Sequence, residues 1–133
     1  MFGSMGRAWT PRRQGNLGEA SAIEWLTRAG ACVSLSIGAS PDYDLIADFD
    51  GRLVRVQVNT STCWRNGRYE VTLATRGGNR SWSGVAKLLD VTRCDSVFVH
   101  VGDGRRWYIP SRAVGGASGI LLGGPKYTQF EVE

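Results

Sequence analysis

Between residues 16 and 29 the apolar positions Leu17, Ala20, Ile23, Leu26 and Ala29 recur at the spacing of one helix face, and Gly30 stands where such a helix ends. After Gly30 the period changes to two. Val33, Leu35 and Ile37 alternate with polar neighbours and predict a strand over 31–37, followed by a turn over 38–42. Two further strand-like runs, 43–48 and 53–59, flank Asp50-Gly51, a strong signal for a tight antiparallel hairpin. A polar loop over 63–67 leads to a strand over 69–74. The Gly-, Arg-, Asn- and Ser-rich stretch 76–84 around Trp82 reads as a flexible loop, and 85–91 as a short helix. Runs 96–101 and 105–110 around Gly102-Asp103-Gly104 predict a second hairpin. A glycine-rich tail over 115–124 then leads into a strand over 127–132, and no internal repeat is present.

The chain of 133 residues, 42% of them hydrophobic, fits one compact domain and is too short for two ordinary ones. Residues 1–13 are read as a flexible N-terminus or a cloning remnant, and 14–133 as the domain. No run of about 18 apolar residues is long enough to span a bilayer, and the start has no apolar signal-peptide core, so a soluble, cytoplasmic, non-membrane protein is expected. Three widely spaced cysteines, Cys32, Cys63 and Cys94, with one histidine, His100, make a poor zinc set. Cys32 and Cys94 lie in or beside apolar runs, which points to reduced, buried thiols. The net charge is +4, and of sixteen basic residues only Lys87 and Lys126 are lysines. A modestly basic surface is compatible with a phosphate backbone as partner but does not by itself demand one.

Candidate chemistry concentrates on the first hairpin. Side chains alternate along a strand, so Arg55, Gln57 and Asn59 share one face while Val54, Val56 and Val58 share the other, the core face. On the preceding strand Asp44 and Asp48 share a face with Ile46, so a carboxylate can approach an amide on the neighbouring strand. Converging oxygen donors of this kind suit Mg2+, with Mn2+ as a substitute. Glu19, in the first helix beside the small Gly18, supplies a third oxygen donor; the competing reading is an exposed hairpin face and a surface glutamate.

Gly18-Glu19-Ala20 in the helix, Pro41-Asp42-Tyr43-Asp44-Leu45, and Arg55-Val56-Gln57-Val58-Asn59-Thr60 occur in an order that resembles the PD-(D/E)xK nuclease superfamily. The likeness is to the branch near group I intron homing endonucleases and Holliday-junction resolvases, where glutamine often replaces the second acid. The stretches Cys94-Asp95-Ser96-Val97-Phe98-Val99 and Trp107-Tyr108-Ile109-Pro110 resemble that branch's closing hairpin. The resemblance implies an α/β (α+β), restriction-endonuclease-like mixed β-sheet of about five strands flanked by helices. It also implies catalytic or metal roles for Glu19, Asp44 and Gln57, with the Val58 carbonyl as an extra ligand and DNA as partner. Asn59 falls on the position of the family's lysine. An asparagine can hold a water but carries no charge and accepts no proton near neutral pH. Loss of one transition-state donor slows such chemistry about a hundredfold or more. A relocated base, a domain that binds without cutting, and a deliberate substitution all account for Asn59, and Lys87 is the nearby candidate for a migrated lysine.

The implied hydrolysis needs a cationic rim, for which Arg55, Arg65, Arg68, Arg76, Arg80 and Arg93 are placed on the strand and loops around the hairpin, since arginine grips phosphate with a planar fork. Lys87 adds a further cation. Trp64 and Trp82 could stack on bases from the same loops or cap the core instead. Two strands of a duplex call for two active sites, so a dimer or tetramer is expected, with the tail over 120–127 as a candidate interface. Against the endonuclease reading stand a non-catalytic DNA-binding or interaction module on the same fold, and a generic α+β domain with no site.

Overall fold

The computed structural model describes residues 10–38, 40, 42–76 and 86–133. The first helix, α1 (Pro11–Arg28), begins five residues before the apolar repeat does. Thr10 caps it by accepting the Arg13 N–H at 3.2 Å, and Pro11 needs no partner in the first turn. Residues 11–13, expected in a flexible arm, are therefore its opening turn. Gly30, at φ 103°, terminates it as the sequence predicts.

Six strands form the main sheet, in the order β1 (Cys32–Leu35), β2 (Leu45–Phe49), β3 (Arg52–Ser61), β8 (Ser96–Val101), β9 (Arg106–Pro110), β11 (Glu131–Val132). Every neighbouring pair is antiparallel except β3 and β8, so the sheet is mixed, as expected. The turn between β2 and β3 uses Asp50 and Gly51 at φ 57° and 95°, the two left-handed positions that a type I′ hairpin requires. Asp48, read as a possible neighbour of the amide face, accepts the Gly51 N–H at 2.7 Å and so fastens this turn. The second hairpin closes through Gly104 at φ 94°.

One face of the sheet is covered by α1, which packs Ala22 and Leu26 onto Leu45, Ala47, Val54, Val56 and Phe98. The other face is covered by a three-stranded sheet, β4 (Trp64–Arg65), β5 (Arg68–Thr72) and β10 (Gly119–Leu122), whose Tyr69, Val71, Ile120 and Leu122 pack with Val97, Val99, Trp107 and Ile109. Among the described residues the flanking layers are thus one α-helix and one small sheet, rather than helices alone. Two short strands, β6 (Thr75–Arg76) and β7 (Ala86–Lys87), form a separate ribbon.

Several local expectations change. The predicted helix over 85–91 is β7 followed by irregular chain, because Ala86 and Lys87 find ladder partners in β6. The loop over 63–67 closes as a β4–β5 hairpin through Asn66 and Gly67, both left-handed. The tail is likewise used inside the chain: of the stretch over 120–127 expected at an interface, Ile120 and Leu122 are buried against β5 and Leu121 faces outward. The run over 127–132 is a 3-10 turn and the two residues of β11. Leu35 and Ile37 are exposed, Leu35 at the end of the edge strand β1 and Ile37 beyond it. Cys32 is also exposed; of the three free thiols only Cys94 is buried. No helix among the described residues is long and apolar enough to cross a membrane.

Candidate active site

The register of the first hairpin determines what meets at its open end. β2 begins at Leu45 opposite Val56, whereas β3 runs on to Ser61, so beyond Val56 the side of β3 away from β8 has no strand beside it among the described residues. Asp44 stands at that opening. Its N–H donates to the Val56 carbonyl at 2.8 Å, and its Oδ2 accepts the Val58 N–H at 2.7 Å, so the carboxylate occupies the place of a missing ladder partner. Because the N–H and C=O of a strand residue point to the same side, the Val58 carbonyl also faces this opening. Asp44 retains solvent access, yet the packing around its carboxyl pushes the pKa above the ordinary value, and the Val58 N–H offsets only part of that.

Gln57 and Asn59 lie on the face turned away from α1, in register with Val97 and Val99 of β8. Gln57 is buried, and its Oε1 accepts the Asn59 Nδ2 at 3.0 Å, so the two amides form one unit on adjacent same-face positions. Glu19 belongs to the opposite layer. Its neighbour Gly18 lies directly on β3: a methyl group at Gly18 would stand 2.2 Å from Thr60 Cγ2 and 3.4 Å from Val58 Cγ1. The Ser21 and Trp25 flank of α1 faces β8 and β9, since Ser21 bonds His100 and Arg106 and Trp25 stacks near Phe98 and Tyr108. With 100° per residue, Glu19 and Ile23 fall on the other flank, toward β2. Glu19 is half-buried and has neither a hydrogen bond nor an ion pair. The chain thus joins Asp44 directly to Val58, pairs Gln57 with Asn59, and brings Glu19 over β3 from the helix side; Asp44, in the plane of the sheet edge, lies between the two layers.

Three of the cations expected at a phosphate rim, Arg55, Lys87 and Arg93, serve other groups. Arg55 makes a two-pronged pair with Asp95, Nε–Oδ2 2.9 Å and Nη2–Oδ1 3.0 Å, and donates to the Thr92 carbonyl, so it fastens the turn before β8 rather than facing a ligand. Lys87, weighed as a migrated lysine, is held 2.7 Å from Asp42 Oδ1, while Arg93 Nε binds Asp42 Oδ2 at 2.7 Å. Asp42 is a functional-site neighbour that sequence reasoning missed. It is 5% exposed, and its contacts with Lys87 and then Arg93 hold its pKa below the usual carboxylate range. A carboxylate so occupied by two cations fixes the chain two residues before Asp44; the lone signal in the sequence is its place beside Asp44 in the motif. Arg65 is exposed and pairs with Glu70 at 3.4 Å, whereas Arg68 has no ion-pair partner. Arg76 lies on β6, and Arg80 and Trp82 lie outside the described residues. Trp64 is exposed and meets Tyr69 edge-on.

Among the described residues no three His, Cys, Asp or Glu side chains gather as a metal cluster. The opening itself presents one carboxylate, that of Asp44, and one carbonyl edge, that of Val58, with Gln57 on one face of β3 and Glu19 on the helix that covers the other. A family model described as PD-(D/E)XK endonuclease matches residues 9–121. The chain belongs to that family. Membership accounts for the arrangement of helix, hairpin and second hairpin around Asp44 and for the nuclease class of the fold. A solved structure titled as a bacterial homing endonuclease, I-Ssp6803I, superposes with a TM-score of 0.70 at 22% identity, covering 93% of this chain and 88% of the other, and so shares the PD-(D/E)XK fold. Comparison with curated protein sequences gives no match.

Proposed function

We propose that this PD-(D/E)XK chain is a DNA-binding endonuclease scaffold whose phosphodiester hydrolysis is slowed by Asn59. The observation that carries the reading is the Asp44 carboxylate held on the Val58 N–H where β2 stops, with a free carbonyl edge beside it. Oxygen donors alone, partly carboxylate and partly carbonyl, are the chemistry that Mg2+ or Mn2+ selects. An unpartnered, half-buried Glu19 and a desolvated Asp44 are two negative groups whose charges a divalent cation would balance. Asp44, Glu19, the Val58 carbonyl and the Gln57 amide oxygen are therefore the residues assigned to hold it. Such an ion lowers the pKa of a bound water and offsets charge on a phosphate oxygen.

The chain's own residues do the rest. Asp44 is aimed by Val58, and its approach is set by Asp42 through Lys87 and Arg93. The Asn59 amide, already donating to Gln57, can orient a water by hydrogen bonding but supplies no positive charge toward a developing phosphorane. Arg65, with Arg76 and Arg80 as expected from the sequence, would receive the phosphate backbone at this opening. Two copies, as a dimer or tetramer, would present one site to each strand of a duplex.

The test is Asn59→Lys assayed for nicking of supercoiled plasmid with Mg2+. Nicking raised about a hundredfold over the parent, and abolished by adding Asp44→Asn, supports the reading. A lysine variant that binds Mn2+ at Asp44 and still leaves the plasmid intact favours the non-catalytic DNA-binding module.

A further inference from the structure

The chain reversal after β10 is a place where like charges converge. At Gly123, which is left-handed at φ 106°, a methyl group would stand 3.1 Å from an Arg105 Nη2; at Gly124 it would stand 2.7 Å from the Arg68 Nε and 3.0 Å from its Cζ. Two guanidinium groups thus lie against consecutive glycines, in room that a side chain larger than hydrogen would fill. Two residues later Lys126 adds a third cation, its Nζ 5.2 Å from the centre of the Tyr127 ring. Arg105 has a carboxylate partner in Asp103 at 3.0 Å, but neither Arg68 nor Lys126 has an ion pair. Arg68 and Lys126 also border an open groove of about 650 Å³ that runs over Glu70, Thr72 and Leu121 on the outer face of the β5–β10 ribbon.

Bringing like charges together costs free energy unless an anion neutralises them. We infer that Arg68, Arg105 and Lys126 around Gly123-Gly124 form a phosphate-backbone contact site for DNA, separate from the opening at Asp44. The partner is a duplex because its backbone offers closely spaced charges to several cations at once, whereas a single small anion would meet one or two. The inference rests on the DNA reading above and extends it to the far side of the small sheet, where the duplex is gripped without base contact. Arg68 belongs to the rim expected from the sequence; Arg105 and Lys126 are new members, and the glycine pair is what seats them.

The test is fluorescence anisotropy with a labelled duplex across a salt series, using Arg68→Gln, Lys126→Gln and Gly124→Ala, with Arg52→Gln as a charge-matched control on the β2–β3 hairpin. Each lost phosphate contact should lower affinity about eightfold at 0.1 M salt and reduce the slope of log K against log salt by about one. Gly124→Ala alters no charge and displaces only the end of the flexible Arg68 side chain, so it should weaken binding less than Arg68→Gln does. Thermal melts confirm that each variant is folded. If the parent binds DNA while Arg68→Gln and Lys126→Gln keep its affinity and slope, the patch is refuted and the nuclease reading stands. If the parent does not bind at low salt, both fall.

Discussion

Gly18→Ala is the substitution on which packing and site geometry bear most directly. The added methyl would stand 2.2 Å from Thr60 Cγ2, against an ordinary carbon contact of about 3.5–4.0 Å, so α1 must withdraw from β3 by well over an ångström or Thr60 must leave its rotamer. Overpacking of this kind costs about 1–3 kcal/mol, and the helix preference of alanine over glycine returns about 1 kcal/mol. The net loss expected is up to about 2 kcal/mol, a fall in Tm of up to roughly 10 °C for a chain of this size. Gly15→Ala is the control. It is in the same helix with nothing within 4 Å of the new methyl, so it should gain up to about 1 kcal/mol. Thr60→Ser removes the clashing methyl, and in that background the cost of Gly18→Ala should shrink by about 1 kcal/mol or more, a coupling that thermal melts of the four proteins measure directly. Displacement of the helix also moves Glu19, so Mn2+ affinity measured by calorimetry should fall in Gly18→Ala and recover in the double variant. Equal stability of Gly18→Ala and Gly15→Ala would refute the close approach of α1 to β3 and, with it, the route by which Glu19 reaches the site.

Asp42→Asn should lower stability by about 2 kcal/mol in chemical denaturation, because two cations lose the buried carboxylate between them; the partial exposure of Lys87 and Arg93 keeps the loss below that of a fully buried pair. The raised pKa of Asp44 means that, without metal, ionising it is harder in the folded chain than in the unfolded one. Stability therefore falls as pH rises from the ordinary carboxylate value through the folded pKa, and Asp44→Asn in EDTA should melt higher than the parent at neutral pH, with the gap closing in acid. For the same reason Mn2+ affinity should weaken as pH drops through the folded pKa of Asp44, because protons compete for the ligand. Glu24 behaves in the opposite sense: Arg28 and Arg106 lower its pKa to about 2, so its contribution is present above the ordinary glutamate value and is lost as pH falls toward 2, and the Tm difference between the parent and Glu24→Gln should vanish there. Leu26→Ala, at a fully buried position between α1 and the sheet, should cost about 2–5 kcal/mol in the same denaturation assay.

Local chemistry made much of this architecture readable from the chain. The Asp50-Gly51 turn, the second hairpin and the valine face of β3 follow from backbone preferences and side-chain periods that act over a few residues. The pairing of Gln57 with Asn59 follows from the same alternation, and the order of short motifs was enough to indicate the family. Of the helix face read from Leu17, Ala20, Ile23, Leu26 and Ala29, by contrast, only Leu26 is buried and Ile23 half-buried, because α1 packs on the sheet through Gly18, Ala22 and Leu26. What required the folded molecule is set by contacts distant in sequence. Gly15 and Gly18 look alike along the helix, and only the approach of Thr60 makes one of them indispensable. Arg55 and Lys87 read as phosphate ligands until Asp95, forty residues away, and Asp42 claim them, because a charge in the sequence has no partner until the chain brings one. The tail over 120–127 and the cations at Gly123-Gly124 acquire meaning through β5, which takes up Ile120 and Leu122 and delivers Arg68 to the turn. Periodicity marked the buried face of β3, but on α1 the buried line of Gly18, Ala22 and Leu26 was set by the sheet beneath it, and which element covers which also decides where the charges of this protein point.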